Sequence, residues 1–404
     1  ISITEAVTVS NNNIDYSTTS APFEFDDAAS VSLLSPPQGP SVGGTIVTVF
    51  GAGFVQSVVY CRFGTTVVVS AVAFTSQLTC MAPALAIGSY TLEVSNNNQD
   101  YTSNARTYTS QPVASVGTVI PISGPTSGAT VVTVYGANFV STSMLSCQFG
   151  TLRVFATWSS ATKVLCLSPA HVGGSVALEV SNNNQDFTTN AVPYLYQNDL
   201  SVNALQPLHG PVSGGTLVTV FGSGFANSTT LVCRFGAKMV TAIYSNSSVL
   251  TCLSPSVVVS GAVIVEVSNN AQDFSSDGLG YAYQPSAIVS AVIPATGSVL
   301  GGTNVTVTGA NFLGGTVRCK FGTVSDVPAH LVTSTRLQCV APAMASGSVT
   351  VDVTNNGVDY TSNNVLFIYH AQESVIGIIP TSGSMTGGTP LTVLGAAFVN
   401  SLTL

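Results

Sequence analysis

The chain is organised around the stretch Gly43-Gly44-Thr45-Ile46-Val47-Thr48-Val49-Phe50-Gly51-Ala52-Gly53-Phe54, a glycine turn, an alternating strand and a second turn. Val47 and Val49 share one face of this strand, and the residues on either side of them take the other face, because successive side chains alternate across a pleated backbone. We therefore expect the valine face to enter a hydrophobic core.

The same pattern begins again at Gly128, Gly214, Gly301 and Gly387, so the spacings are 85, 86, 87 and 86 residues. An aliphatic pair occupies the two valine positions in every copy. A period of this length is too long for a solenoid and is typical of tandem β domains that each bury a core of their own.

The period divides the chain into four complete repeats and two partial ones. Repeats one to four are predicted at residues 28–111, 113–197, 200–284 and 287–370, with the end of a further domain at 1–26 and the start of another at 373–404. Linkers of one to three residues are too short for a flexible coil, so successive domains should abut in a stiff rod that gains roughly 35 to 45 Å per repeat. With neither an initiator Met nor a signal peptide, the sequence is expected to be a window on a longer chain.

Each repeat reads as about seven short strands separated by turn signals, and helix signals are nearly absent. The predicted fold class is all-β: a tandem array of immunoglobulin-like sandwiches.

Composition limits the partners. Nine Lys and Arg against 17 Asp and Glu give a net charge of −8, and the basic residues are scattered, so the chain lacks the charge pattern of a nucleic-acid binder. Although 45% of residues are hydrophobic, polar residues interrupt every run before it could span a bilayer. With only 6% charged residues, the surface must be kept soluble by polar groups or sugars, or be buried by association.

The eight cysteines fall as one pair per complete repeat, at separations of 19, 19, 19 and 20 residues: Cys61 and Cys80, Cys147 and Cys166, Cys233 and Cys252, Cys319 and Cys339. Four intradomain disulfides are predicted, each worth about 3 kcal/mol in the chain-entropy model. They indicate an oxidising, extracellular compartment. The four histidines occupy unrelated repeat positions, so no metal site is expected.

Three N-glycosylation sequons begin at Asn227, Asn246 and Asn304. They can be used only if the protein is secreted, and chance also produces sequons in a chain rich in Asn, Ser and Thr.

A pair of carboxylates recurs in every repeat: Glu93 with Asp100, Glu179 with Asp186, Glu266 with Asp273, and Asp352 with Asp359. One interpretation is a calcium site between abutting domains. The favoured one is that the Asp and its Asn-rich neighbours hydrogen-bond the backbone of their own turn.

No constellation of unlike catalytic groups occurs once in the chain, so neither an enzyme activity nor a cofactor is expected. The one tryptophan, Trp158, is interpreted as a packing residue rather than a sugar platform. The basic residue after the first cysteine, as in Arg62, Arg234 and Lys320, is expected to be solvated rather than to pair with an acid of a neighbouring domain.

Five motifs recur in the same order: P-x-x-G-x-x-x-G-G-T, G-x-[GN]-F, C-x-F-G, L-x-C-x-x-P and [LV]-E-V-S-N-N-x-Q-D-[YF]. Together they resemble the IPT/TIG domain, an immunoglobulin-like fold found in plexins, growth-factor-receptor ectodomains, some transcription factors and large surface proteins of protists and algae. The resemblance covers essentially the whole chain, with departures such as Ala129 for the second glycine. It supports the cysteine pairing, because the extracellular members form that disulfide. The basic domain that contacts DNA in the transcription factors has no counterpart here.

Two functions remain open. The first is a non-catalytic structural shaft of an extracellular fibre or surface coat that self-associates through domain surfaces, since unpaired sheet edges favour association. The alternative is the stalk of a cell-surface adhesion protein or receptor ectodomain that binds a protein or glycan.

Overall fold

The computed structural model describes residues 3–56, 58–70, 72–104 and 106–398, and these residues form β-strands, turns and loops without a helix. None of them therefore builds a helix with the length and apolar character needed to cross a membrane. Two compact units are present, residues 1–198 and 199–404.

The first unit begins with an antiparallel pair and continues with repeats one and two. The pair is β1 (Ile3–Val7) and β2 (Ala21–Phe25). Repeat one contains β3 (Ser30–Ser35), β4 (Gln38–Pro40), β5 (Ile46–Ala52), β6 (Tyr60–Phe63), β7 (Thr66–Val69), β8 (Val72–Phe74), β9 (Gln77–Met81), β10 (Gly88–Ser95) and β11 (Arg106–Gln111). Repeat two contains β12 (Ser115–Ile120), β13 (Ser123–Pro125), β14 (Val131–Ala137), β15 (Ser146–Phe149), β16 (Leu152–Ser160), β17 (Lys163–Leu167), β18 (Gly174–Ser181) and β19 (Val192–Gln197).

The second unit contains repeats three and four, followed by a final strand pair. Repeat three contains β20 (Ser201–Gln206), β21 (His209–Pro211), β22 (Leu217–Ser223), β23 (Val232–Phe235), β24 (Lys238–Asn246), β25 (Val249–Leu253), β26 (Gly261–Ser268) and β27 (Leu279–Gln284). Repeat four contains β28 (Ile288–Ile293), β29 (Thr296–Ser298), β30 (Asn304–Ala310), β31 (Arg318–Phe321), β32 (Val324–Thr333), β33 (Arg336–Val340), β34 (Gly347–Thr354) and β35 (Leu366–His370). The final pair is β36 (Ser374–Ile379) and β37 (Thr392–Ala396); residues 399–404 of the predicted last partial domain lie outside the described residues.

Every repeat has the same strand connections. In repeat one, the first layer has the order β3-β5-β9-β8 and the second the order β4-β11-β10-β6-β7. In repeat two, the long strand β16 pairs with β17 of the first layer and with β15 of the second, so the two layers join into one eight-stranded sheet. Repeats three and four have this joined form as well, which confirms the predicted all-β immunoglobulin-like architecture.

The alternation read from the sequence places the core. Val47 and Val49 are fully buried, whereas Ile46 on the other face of β5 is exposed. Each of repeats one to four has its own cluster of buried apolar side chains, and no cluster includes residues from two repeats. The repeats are therefore separate domains in the physical sense, because each buries an apolar core of its own.

Each core contains one disulfide. The bonded pairs are Cys61–Cys80, Cys147–Cys166, Cys233–Cys252 and Cys319–Cys339, with Cα–Cα distances of 6.4, 6.2, 6.4 and 6.5 Å. In repeat one the bond ties β6 of the second layer to β9 of the first.

The turn after the β5 strand requires a left-handed backbone. Gly53 has φ of 70°, and Asn138 and Asn311 at the same position have φ of 61° and 60°. Ala397 has φ of 64° there, although alanine departs from the Gly or Asn pattern. The turn geometry therefore persists even where the residue does not favour it.

Candidate functional site: the junction between successive repeats

The Asn-rich turn that follows the strand β18 is built by its own side chains. Ser181 donates to Oδ1 of Asn183 at 2.9 Å, and that same Oδ1 accepts the backbone N–H of Asp186 at 2.9 Å. Nδ2 of Asn183 in turn donates to the Asp186 carboxylate at 2.6 Å. This is the turn chemistry expected from Asn and Asp, whose short side chains can satisfy nearby backbone groups.

The turn has the same internal geometry wherever it occurs. Asn donates to Asp three residues later at 2.7 Å in Asn12–Asp15, Asn97–Asp100, Asn270–Asp273 and Asn356–Asp359. The Asn97–Asp100 turn is exposed and nevertheless holds this arrangement. Its carboxylate is therefore positioned by the turn itself before any neighbouring domain is met.

In the first unit, the turn of repeat two contacts the opening segment of repeat one. The hydroxyl of Thr45 donates to Oδ2 of Asp186 at 2.6 Å, and Thr45 is fully buried. Nδ2 of Asn183 donates to the backbone carbonyl of Gln38 at 3.0 Å. The Gln38 side chain donates back to the carbonyl of Asn182 at 3.0 Å, so the junction is joined in both directions.

The second unit repeats this junction between repeats three and four. The hydroxyl of Thr216, also fully buried, donates to Oδ2 of Asp359 at 2.7 Å, and Asn356 donates to the carbonyl of His209 at 2.9 Å. The same two bonds thus form at equivalent residues about 171 positions apart in a chain with an 86-residue period, counting from Thr45 to Thr216. The same atoms therefore form the junction in both units.

A glycine brings the opening segment close enough for this contact. A Cβ on Gly39 would lie 2.0 Å from Oγ1 of Thr45 and 2.2 Å from the hydroxyl of Tyr108. Gly210 has the equivalent neighbours, Thr216 and Tyr281, each at 2.2 Å. No side chain fits there, which explains the fixed glycine of the P-x-x-G motif.

The buried tyrosine beneath each threonine is held neutral. Burial raises the pKa of Tyr108; the nearby Thr45 hydroxyl partly offsets this, and the Asp186 carboxylate adds to it. Burial likewise raises the pKa of Tyr281, next to Thr216 and Asp359. With its pKa raised in this way, each tyrosine hydroxyl keeps its proton to a higher pH than an exposed tyrosine does.

A small cavity of about 30 Å³ adjoins each junction. The first is bounded by Gly39, Pro40, Asn183 and Asp186 among others, and the second by the equivalents Gly210, Pro211, Asn356 and Asp359. This volume suits a single water molecule and is about tenfold below that of a small-molecule site. The junction is therefore a close contact between two domains of the chain.

The recurring carboxylates serve two separate purposes. Asp186 and Asp359 belong to the junctions, whereas Glu93 lies on β10 and forms an ion pair with Arg62 at 2.6 Å. Among the residues that the structure describes, no three His, Cys, Asp or Glu side chains are grouped as metal ligands would be.

The expectation that the basic residue after the first cysteine is solvated was wrong for two repeats. Arg62 pairs with Glu93, and Arg234 pairs with Glu266 at 2.7 Å, in each case within its own repeat. Each guanidinium also lies 3.9 Å from the centre of an aromatic ring, Tyr101 or Phe274. The adjacent strand places the acid directly opposite the base, a register that sequence spacing alone did not reveal.

Repeat two has Gln148 in place of this arginine, and its glutamate takes other partners. Glu179 is 8% exposed and accepts from the hydroxyl of Thr188 and the backbone N–H of Ala191. Arg153 supplies a guanidinium 4.7 Å from the ring of Phe187. The acid therefore stays hydrogen-bonded although its arginine is missing.

Trp158 is hydrogen-bonded within its own repeat. It shares a face of the sheet with the buried Val164, its cross-strand neighbour, and its indole N–H donates to the carbonyl of Phe139 at 3.2 Å. Trp158 is 42% exposed and is not among the side chains packed against the core of repeat two, so the structure does not place it in that core.

The three sequon asparagines are exposed. Asn227 lies in the loop after Phe225, Asn246 ends β24, and Asn304 begins β30 on the face opposite to the buried Val305.

Sequence reasoning identified the Asn-rich turn but missed its partner residues, Thr45 with Gln38 and Thr216 with His209. A signal was present, because a threonine follows the opening glycine turn in all five copies. What was not visible is that this threonine faces the turn of the next repeat.

Tandem immunoglobulin-like sandwiches, each with one internal disulfide, define the class of this protein. The profile described as IPT/TIG domain matches residues 29–110, 114–196, 200–283 and 287–369, which together take in most of the sequence. The chain therefore belongs to the IPT/TIG domain family.

Among curated proteins, the chain is 27% identical to fibrocystin-L of Mus musculus over 292 residues, covering 70% of this chain and 7% of that protein. It is 25% identical to plexin-2 of Caenorhabditis briggsae over 279 residues, covering 63% of this chain and 15% of that protein. It therefore spans a small part of these relatives. Among solved structures, the full extracellular region of plexin A4 matches 82% of this chain and 30% of that one, at 17% identity and a TM-score of 0.36.

Proposed function

We propose that the chain is a non-catalytic spacer segment of an extracellular protein, a shaft in which neighbouring domains are held by direct side-chain hydrogen bonds. The observation that carries this proposal is the bond between Thr45 and Asp186 and its counterpart between Thr216 and Asp359. Both donor threonines are fully buried and both aspartates are half-buried, so each bond is a direct contact between side chains of two repeats.

An extracellular location is supported by the chemistry of the cores. One disulfide in each of the four complete repeats requires an oxidising compartment to form and persist. Sugars on Asn227, Asn246 and Asn304 would supply polar surface to a chain in which only 6% of residues are charged.

As the first candidate, the shaft belongs to a fibre or surface coat that associates with further copies of itself. Short linkers and bonded junctions suit a load-bearing element, and the exposed apolar pairs Ile46–Met81 and Leu217–Leu253 on outer sheet faces suit lateral contact.

The second candidate is the stalk of a receptor or adhesion ectodomain that holds a binding domain away from a membrane and contacts a protein or glycan. The sequence likeness to fibrocystin-L and to plexins favours this candidate. Neither candidate involves nucleic acid, since the chain carries a net charge of −8 without a basic patch in its sequence.

Electron microscopy of the native secreted protein at physiological salt separates the two. Uniform filaments with an axial repeat that is a multiple of one domain length support the fibre. Separate rod-shaped molecules at every concentration would contradict self-association and favour the stalk of a receptor or adhesion ectodomain. Particles in which successive domains take no fixed orientation relative to one another would overturn the proposal that the chain forms a shaft.

A further inference from the structure

The two described junctions share the threonine–aspartate bond but differ in the residue next to the aspartate. In repeat two this residue is Gln185, and in repeat four it is Val358. The end of the Gln185 side chain lies 3.0 and 3.2 Å from the backbone carbonyl and N–H of Ile46, and assigning the amide with Nε2 toward the carbonyl and Oε1 toward the N–H satisfies both groups. A side chain from one repeat thus pairs with the main chain of another.

The position of Ile46 explains why its backbone groups are open to this contact. Strand β3 ends at Ser35, which pairs with Thr48 of β5. Ile46 lies two residues before Thr48, so its N–H and C=O point toward the same side, beyond the end of β3. The Gln185 amide extends the ladder by one step in the manner of an added strand.

The second unit has the same open strand edge but no glutamine amide that could pair with it. Strand β20 ends at Gln206, which pairs with Thr219 of β22, so Leu217 corresponds to Ile46. Val358 offers neither a donor nor an acceptor, and its side chain is 49% exposed. The Val358 side chain therefore adds no hydrogen bond between these two repeats.

A second difference acts in the same direction. Gln38 donates to the carbonyl of Asn182 and accepts from Gln111 at 2.8 Å, which braces it across the first junction. His209 takes its place in repeat three, and Nδ1 of His209 is buried without a hydrogen-bond partner among the described residues. The second junction therefore keeps the two bonds made by Asp359 and Asn356 and lacks this brace.

We infer that Gln185 is a positioning residue that fixes repeat two against repeat one, and that Val358 in its place makes the junction of repeats three and four the more compliant of the two. Two bonds from one turn allow rotation about the line that joins them, whereas a third attachment at the strand edge removes that freedom. This inference rests on the proposed shaft, because it states where the shaft bends.

The first test is hydrogen exchange at single amides of the intact 404-residue chain. The variant Gln185→Val is expected to speed exchange at the Ile46 amide roughly two- to tenfold, the range of one net hydrogen bond. Val358→Gln is expected to slow exchange at Leu217 by a similar factor. The matched control is Gln99→Val, which changes the equivalent residue of the exposed turn of repeat one and should leave Ile46 unaffected.

The second test measures distance distributions between probes on exposed positions of repeats one and two, and of repeats three and four. The distribution for repeats three and four should be broader than the one for repeats one and two. The double variant Val358→Gln with His209→Gln should narrow the distribution for repeats three and four. Gln185→Val should broaden the distribution for repeats one and two. Equal widths in the unaltered chain, or unchanged Ile46 exchange in Gln185→Val, would overturn the inference. Hydrogen exchange and probe distances both report on single junctions, whereas electron microscopy reports on the whole shaft. The inference about Gln185 can therefore be overturned while microscopy still shows a shaft, and microscopy can contradict the shaft while the Gln185 contact is confirmed.

Discussion

The hydroxyl of Thr45 donates to the carboxylate of Asp186 at 2.6 Å, although 141 residues separate them and each belongs to a different domain. Asp186 also accepts from Asn183 of its own turn, so one carboxylate closes the turn and joins two repeats. Thr216 and Asp359 do the same in the second unit, so the same junction forms in two pairs of repeats.

The energy of this contact can be measured with a double-mutant cycle. Thr45→Val and Asp186→Ala, singly and together, should give a coupling free energy of about 1 to 3 kcal/mol, because the Thr45 hydroxyl is fully buried, Asp186 is half-buried and the acceptor is a carboxylate. Denaturant unfolding of the intact chain supplies the four values. Asp100→Ala removes the same turn aspartate where it is exposed, and pairing it with Thr45→Val should give no coupling.

Gly39→Ala should destabilise repeat one strongly, by about 3 kcal/mol or more, because the added methyl meets two side chains at 2.0 and 2.2 Å. Calorimetry of the intact chain should show one thermal transition shifted to lower temperature. Gly280→Ala is the control: a Cβ there has no neighbour within 4 Å, so its effect should stay within about 0.5 kcal/mol. Equal effects of the two substitutions would mean that the close packing around Gly39 is not rigid.

Each disulfide should contribute about 3 kcal/mol to its own repeat. Replacing both Cys233 and Cys252 by Ala should lower the free energy of unfolding of repeat three by that amount. The other repeats keep their own cores and should unfold as before. Unfolding followed by mass spectrometry of protected segments assigns each transition, and simultaneous loss of all four repeats would contradict their independence.

Alkaline pH should destabilise the cores through their tyrosines. Burial raises the pKa of Tyr283 to about 12, with a smaller effect from Tyr281. In the unfolded chain Tyr283 loses its proton near pH 10. Its contribution to the free energy of unfolding is therefore fully present below pH 10 and declines as the pH rises from 10 to about 12. Unfolding free energies across this range, with phenolate absorbance recorded in parallel, test the slope.

The variant Tyr283→Phe is the control for that slope. It removes the titrating hydroxyl and the bond that this hydroxyl donates to Pro255 at 2.8 Å. Stability should fall at neutral pH, while the dependence between pH 10 and 12 becomes shallower. An unchanged slope would assign the alkaline loss to other tyrosines.

N-linked sugars are expected at Asn227, Asn246 and Asn304 when the chain is secreted from a eukaryotic host, since all three side chains are exposed. Enzymatic removal of the sugars converts each occupied Asn to Asp, which peptide mass spectrometry detects. Asn203 is exposed but is followed by Ala204 and Leu205, so it should remain unmodified. Conversion at none of the three sequons would contradict the prediction.

Much of the domain could be predicted because its instructions are local. The alternation around Val47 and Val49 placed the buried face of β5, and the G-x-[GN]-F motif marked the turn in which Asn138 and Asn311 adopt a left-handed backbone. Both depend on residues adjacent in sequence, where backbone sterics decide the outcome. The internal bonds of the turn from Asn183 to Asp186 follow for the same reason.

Cross-strand and cross-domain partners could not be predicted in this way. Arg62 was expected to be solvated, and only the register of β6 against β10 shows that Glu93 lies opposite to it. The sequence by itself thus determined the repeat, its strands and a turn that presents an aspartate. The tertiary structure alone decided that Thr45 receives this aspartate and that Gln185 reaches Ile46, because such contacts depend on how two folded domains are placed, and no sequence period encodes that placement.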